Sequence, residues 1–248
     1  MASSPMDQFK IEGTRLFDIG GQTISWTNSA FWMVLSVVLI IGFFALTLRK
    51  KLIPGRMQSV GELSYHFIAD MVRDTVGPEA MRFMPFVFTL FFFILAANLI
   101  GMNPYAFTTT SHVAVTAALA VMTIFIVIIA GIVKNGLSWF GIFAPSGLPL
   151  PMYILIIPIE VVSFLARPLT LAVRLFANMV AGHVMLKLFA IFAAYLVTVG
   201  GVAALGTVAP VLGTVFLVAL EFLVAGLQAF VFAILTCVYL NDVYHVHH

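Results

Sequence analysis

Between Phe83 and Leu240 the chain carries only six charged residues, Lys134, Glu160, Arg167, Arg174, Lys187 and Glu221. That scarcity constrains the fold more than any motif does, because soluble domains are roughly 25% charged. The whole chain of 248 residues is 9% charged and 62% hydrophobic. A water-soluble globular fold is excluded, and the sequence reads as an all-α integral membrane protein. A charge at bilayer depth costs about 2.5–3.5 kcal/mol on insertion scales, so each of the six calls for a reason. The formal charge of +2 gives no footing for nucleic-acid binding. The single cysteine, Cys237, offers neither a disulfide nor a thiolate metal site, and no metal or cofactor is expected.

Charge divides the chain into segments. Residues 1–28 are polar and mixed, with no basic leader into an early apolar run, so a cleaved signal peptide is not expected. Residues 29–48 are free of charge and match the about 20 residues a bilayer requires, with Asn28 placed to cap the helix. The run ends at Arg49, Lys50 and Lys51, with Arg56 beyond. By the positive-inside rule that end is cytoplasmic and the N-terminus lies outside. In 59–76, Leu63, Phe67, Ile68, Met71 and Val72 alternate with Glu62, His66, Asp70, Arg73 and Asp74 at helical spacing. This predicts an amphipathic helix at the cytoplasmic interface, opened by a capping box of Ser59 and Glu62 and stopped at Gly77-Pro78. Within 83–147 two apolar runs, 83–101 and 113–133, form a membrane hairpin around Asn103-Pro104 that returns at Lys134.

Residues 148–241 contain no polar loop. Pro149 and Pro151 mark the start, and Gly200-Gly201 with Gly206 and Pro210 mark the best break. Two helices of roughly 30–45 residues follow, about 45–65 Å long at 1.5 Å per residue. A hydrocarbon core of about 30 Å obliges such helices to tilt strongly or to break, and Pro158 and Pro168 are places for a kink. The expectation is about five membrane-embedded helices, the last two long and tilted, plus one interfacial helix and a cytoplasmic tail at 242–248.

Helical geometry sorts the polar groups. With Arg174 at zero, Arg167 falls at about 20° and Glu160 and Asn178 at about 40°, one narrow stripe, while His183 and Lys187 fall on the opposite face. Glu221 and Gln228, seven residues apart, share a face of the second helix. His183 and Glu221, on neighbouring antiparallel helices, are candidates for an acid/base pair. Plainer readings compete: Arg167 and Lys187 can snorkel from helix ends, Asn178 and Gln228 can be interhelical glue, and a lone His183 can be structural. Arg174 resists them, since a guanidinium deep in an apolar helix cannot deprotonate and must meet an anion or water. Glu221 resists too, although it can be carried protonated.

The stretch from Arg174 to His183, Arg-Leu-Phe-Ala-Asn-Met-Val-Ala-Gly-His, and the later Gln228-Ala229-Phe230-Val231-Phe232 closely resemble subunit a of the rotary F-type ATP synthases. The likeness extends over nearly the whole chain, including Glu160 and the Asn98-Leu99-Ile100 run. It implies the stator half of a membrane proton path, beside a ring of c subunits that each carry a lipid-facing carboxylate, with b-type peripheral-stalk subunits as further partners and the proton as the transported ion. It implies that Arg174 is the essential rotor-facing cation. Asn178, His183, Glu221 and Gln228 then belong to the half-channel open to the non-cytoplasmic side, and Glu160 to polar access nearer the cytoplasm. Many bacterial members place Glu where this chain has His183 and His where it has Glu221; the exchange found here is the mitochondrial-like order. Nucleotide chemistry belongs to partners, because the chain lacks a GxxxxGK[ST] loop; enzyme activity is therefore a property of a complex, in a bacterial or mitochondrial inner membrane.

Two other classes stand as rivals. A self-contained secondary transporter would bind substrate at Glu160, Arg174 and Glu221, but the paired interrupted helices of inverted repeats are not evident. A haem or quinone protein would want paired histidines on facing helices. His66 and His112 fall in interfacial or loop segments, and His245, His247 and His248 in the tail.

Overall fold

The computed structural model describes residues 13–19, 22–48, 55–103, 106–143, 150–201 and 205–244. The main elements are six helices: α1 (Asn28–Thr47), α2 (Arg56–Val76), α3 (Met84–Gly101), α4 (Val113–Asn135), α5 (Leu150–Val199) and α6 (Val208–Tyr244). All but α2 are long and apolar enough to cross a membrane, α3 together with the 3-10 turns of Pro78–Phe83 that lead into it. The protein is an all-α integral membrane protein, as the scarcity of charge requires.

Ahead of α1 stands a short antiparallel hairpin that the sequence reading did not anticipate, β1 (Gly13–Ile19) and β2 (Gln22–Thr27), with Gly13 opposite Thr27 and Ile19 opposite Gln22. Thr23, Ile24, Trp26 and Thr27 are residue types that suit a pleated strand. The cap of α1 also shifts by one residue. Thr27 Oγ1 accepts the Ala30 N–H at 3.2 Å, while Asn28 Oδ1 accepts from its neighbour Ser29 at 2.8 Å. Within α1 the hydroxyls of Ser36 and Thr47 donate back to the carbonyls of Trp32 and Phe43, which satisfies them without leaving the helix. The basic run Arg49–Lys51 lies outside the described residues.

α2 begins at Arg56, so the capping box expected at Ser59 is overturned. Gly55 precedes the helix in extended conformation with no side-chain cap; Ser59 is already one turn inside, donating to the Gly55 carbonyl, and Glu62 accepts from Gln58 at 2.8 Å. The apolar stripe divides as well: Ile68, Met71 and Val72 are buried, whereas Leu63 and Phe67 are exposed. Gly77 ends α2 at φ 108°, a conformation that favours glycine, and Pro78 prevents continuation.

α5 runs unbroken for 50 residues with Pro158 and Pro168 inside it, longer than the spacing suggested and about 75 Å at 1.5 Å per residue. The break falls where expected, with Gly200 and Gly201 at φ 71° and 60°. At the other end the expected tail is corrected. α6 continues through Asp242 to Tyr244, because Val243 and Tyr244 are buried and hold the last turn in place; residues 245–248 lie outside the described part.

The chain forms two compact units, one of Met1–Ile40, Phe93–His112 and Leu175–Gln228, the other of Ile41–Phe92, Val113–Arg174 and Ala229–His248. In the second, glycines let helices and turns approach closely. A Cβ on Gly61 would lie 2.8 Å from Thr47 Oγ1, and one on Gly131 would collide with the Trp139 indole. Trp139 then packs edge-on against Phe143 and Phe164. In both units, apolar side chains such as Ile154, Leu155, Val162 and Phe216 face outward, the arrangement a lipid solvent favours.

Candidate functional site

The unit that contains the end of α3, the second half of α5 and a little over the first half of α6 holds a mostly apolar cavity of about 200 Å³. Asn178 and Gly182, one turn apart on α5, and Glu221 on α6 supply its polar edge, and Met102, Met185 and Leu217 are among the apolar residues that close it. Gly182 makes the approach possible, since a Cβ there would collide with the Glu221 carboxylate. Glu221 is half-buried and its Oε1 has no hydrogen-bond partner. An oxygen left in that condition is costly unless it carries a proton or meets water.

His183 is buried beside this edge, yet its Nε2 is bonded to Thr108 Oγ1 at 3.0 Å, on the segment that joins α3 to α4. Among the described residues no hydrogen bond joins Glu221 Oε1 to His183, the pair expected from helix adjacency. The residue set against Glu221 is Gly182, and one step along a helix turns the side-chain direction by about 100°. Thr108 also donates to the Gly101 carbonyl at 3.0 Å, and a Cβ on Gly101 would meet the Thr108 methyl. Deeper in the same unit Asn98 is fully buried, its Nδ2 donating to the Ala225 carbonyl at 3.4 Å while Oδ1 is unmet. Gln228 is buried with Nε2 unmet. Thr108 escaped the sequence reading altogether. A buried polar run, Thr108-Thr109-Thr110-Ser111, just ahead of an apolar helix was the available hint.

The other unit holds most of the isolated cations. Arg167 donates to Asp242 at 2.9 Å and lies over the Tyr239 ring. Lys134 is paired with Glu79 at 3.3 Å, donates to the Tyr244 carbonyl at 3.2 Å and sits over the Tyr244 ring. Neither needs anything from outside the chain. Arg174 differs, being exposed and, among the described residues, without a hydrogen bond or ion pair. Glu160 is half-buried and likewise without a partner among them, and no group of three or more His, Cys, Asp and Glu there is arranged to hold a metal.

A family model described as ATP synthase A chain matches residues 30–241. The chain is 59% identical to ATP synthase subunit a of Hyphomonas neptunium over 99% of its own length and 97% of that protein's. It is 52% identical to ATP synthase subunit a of Agrobacterium fabrum over 100% of both, and 50% identical to that of Mesorhizobium japonicum over 98% and 97%. With helices α1 to α6 matched by the family model and half or more of all residues shared with relatives of the same length, the chain belongs to the ATP synthase subunit a family.

Proposed function

We propose that this multi-pass membrane subunit is the stator of the ATP synthase proton channel and that Arg174 is the cation on which coupling turns. The observation that carries this reading is the contrast between Arg174 and the other arginine in the middle of α5. Arg167 is satisfied by Asp242, whereas Arg174 is exposed and unpaired among the described residues. A guanidinium cannot shed its proton, so in an apolar setting its counter-charge comes from another molecule. A carboxylate carried past on a c-subunit ring supplies one.

The mechanism follows from electrostatics. A ring carboxylate facing lipid stays neutral, because an isolated charge there is prohibitively expensive. Opposite Arg174 its ionised form is favoured, so the proton leaves toward one half-channel, and the permanent cation blocks direct passage between the two. On the entry side, Asn178, His183, Glu221 and Gln228 form the polar path that reloads the next carboxylate, and Glu160 lines access nearer the cytoplasm. The cavity edged by Asn178 and Glu221 has room for water beside the Glu221 side chain, which supports a hydrated proton path. Each charge that crosses contributes about 2.3 kcal/mol per 100 mV. The charge bias at Arg49–Lys51 favours an outside N-terminus and a cytoplasmic C-terminus, and b-type subunits of the peripheral stalk are the further partners.

ATP-driven proton pumping by inverted membrane vesicles tests this. With Arg174→Ala the complex assembles but pumping falls to background; pumping at the unsubstituted rate would remove Arg174 from the coupling role.

A further inference from the structure

At the membrane face where α4 and α6 end and the span of α3 begins lies a cavity of about 220 Å³, lined by Glu79, Arg82, Val133, Lys134 and Tyr244, all of one compact unit. Its two cations outweigh its one carboxylate. Arg82 is exposed and, among the described residues, has neither a hydrogen bond nor an ion pair. Its guanidinium is held over the rings of Phe83 and Tyr244, 5.1 and 5.5 Å from their centroids. Rings attract the charge but offer no acceptor oxygen to its five N–H donors. Lys134 is held by the Tyr244 carbonyl and, at 3.3 Å, by Glu79. The Glu79 side chain is 75% exposed, so that pair is weak and readily exchanged for another anion.

Val133 ties the cavity to lipid. From it an apolar stripe runs back along α4 through Ile129 and Phe125 to Val121, four residues apart and all exposed. The stripe is about 18 Å long at 1.5 Å per residue, close to half of a hydrocarbon core of about 30 Å. That is the depth an acyl chain of one leaflet occupies.

We propose that the cavity at Arg82 binds the phosphate of an anionic phospholipid headgroup, with an acyl chain laid along the α4 stripe. The guanidinium fork presents paired N–H donors to two phosphate oxygens, and Lys134 turns from Glu79 to the same group. Free phosphate shares the headgroup chemistry but has no use for an apolar track that begins at the cavity wall. A zwitterionic headgroup brings an ammonium that the two cations repel. Basic pockets between membrane helices take anionic headgroups by the same physics. The site does not depend on the role of Arg174.

The test uses the complete complex in nanodiscs of phosphatidylcholine, doped with phosphatidylglycerol that carries a photoreactive group on its acyl chain. Mass spectrometry is expected to find label on residues 121–133. In Arg82→Gln labelling there should fall about tenfold, the effect of losing a charge-assisted hydrogen bond. In Glu79→Gln, which removes the competing carboxylate, it should rise. Unlabelled phosphatidylglycerol should compete, and inorganic phosphate should not. Labelling that Arg82→Gln leaves unchanged, or that photoreactive phosphatidylcholine reproduces equally, overturns the site. Loss of labelling on adding inorganic phosphate makes the ligand the free anion and overturns the lipid assignment. Should Arg82→Gln fail to assemble, Glu79→Gln decides, because contact with bulk lipid does not respond to that charge; no rise there overturns the site.

Discussion

Two arginines seven residues apart on one helix have different fates, and the difference lies in their partners. Arg167 meets Asp242 and the face of Tyr239, at a place where both charged groups are partly exposed. An ion pair of that kind contributes about 0–1 kcal/mol. Asp242→Asn is therefore expected to leave ATP-driven pumping near its unsubstituted rate, with at most a small loss of thermal stability. Arg174→Lys should not behave so mildly. A lysine keeps the charge but gives it up more readily in an apolar setting and lacks the planar fork of donors. Pumping well below the unsubstituted rate is expected in Arg174→Lys, and full activity would mean that a point charge suffices. At this scale much was legible in the sequence, because a charge that an apolar helix cannot hide announces itself. Which charges were already satisfied was not legible: Asp242 lies 75 positions from Arg167, and nothing local ties them together.

Helix contacts depend on glycine where side chains would otherwise hold the elements apart. A Cβ on Gly182 would collide with the Glu221 carboxylate, so Gly182→Ala is expected to displace Glu221 and to lower passive proton conduction while the subunit still inserts. Normal conduction in that variant would show that Glu221 does not need this position. Gly61 plays the packing role where α2 meets α1, its Cβ position lying 2.9 Å from the Thr47 Cβ. Overpacking of this kind typically costs about 1–3 kcal/mol. Gly61→Val should lower the melting temperature of the detergent-solubilised complex, and an unchanged melting temperature would mean that the crossing yields easily. The runs that became α1, α3 and α4 could be read to within a few residues, since absence of charge over a bilayer's length has few other meanings. The start of α2 could not, because the Ser59–Glu62 spacing fits a capping box equally well inside a helix that Gly55 already begins. The hairpin of β1 and β2 does not show in the polar, mixed composition of residues 1–28, because polarity alone carries no strand alternation. Adjacency of α5 and α6 was anticipated, but the angular offset that puts Gly182 and not His183 opposite Glu221 was beyond what connectivity fixes.

For the molecule as a whole, five helices among the described residues that are long and apolar enough to cross a membrane, and a membership shared with full-length relatives, define a subunit of a larger machine. A stator without its rotor has no carboxylate to load, so the purified chain reconstituted alone should catalyse no solute exchange. Substrate uptake by such vesicles would instead favour a self-contained transporter. The outward-facing apolar surfaces and the exposed guanidinium are both explained if lipid and a ring of carboxylates complete the environment that this chain only begins. The most direct measurement is a map of the assembled complex that resolves the Arg174 side chain in its several rotor positions. The guanidinium is expected to face the ring, within ion-pairing distance of a c-subunit carboxylate in at least one rotor position. An Arg174 that points to lipid or to another stator subunit in every position would contradict it.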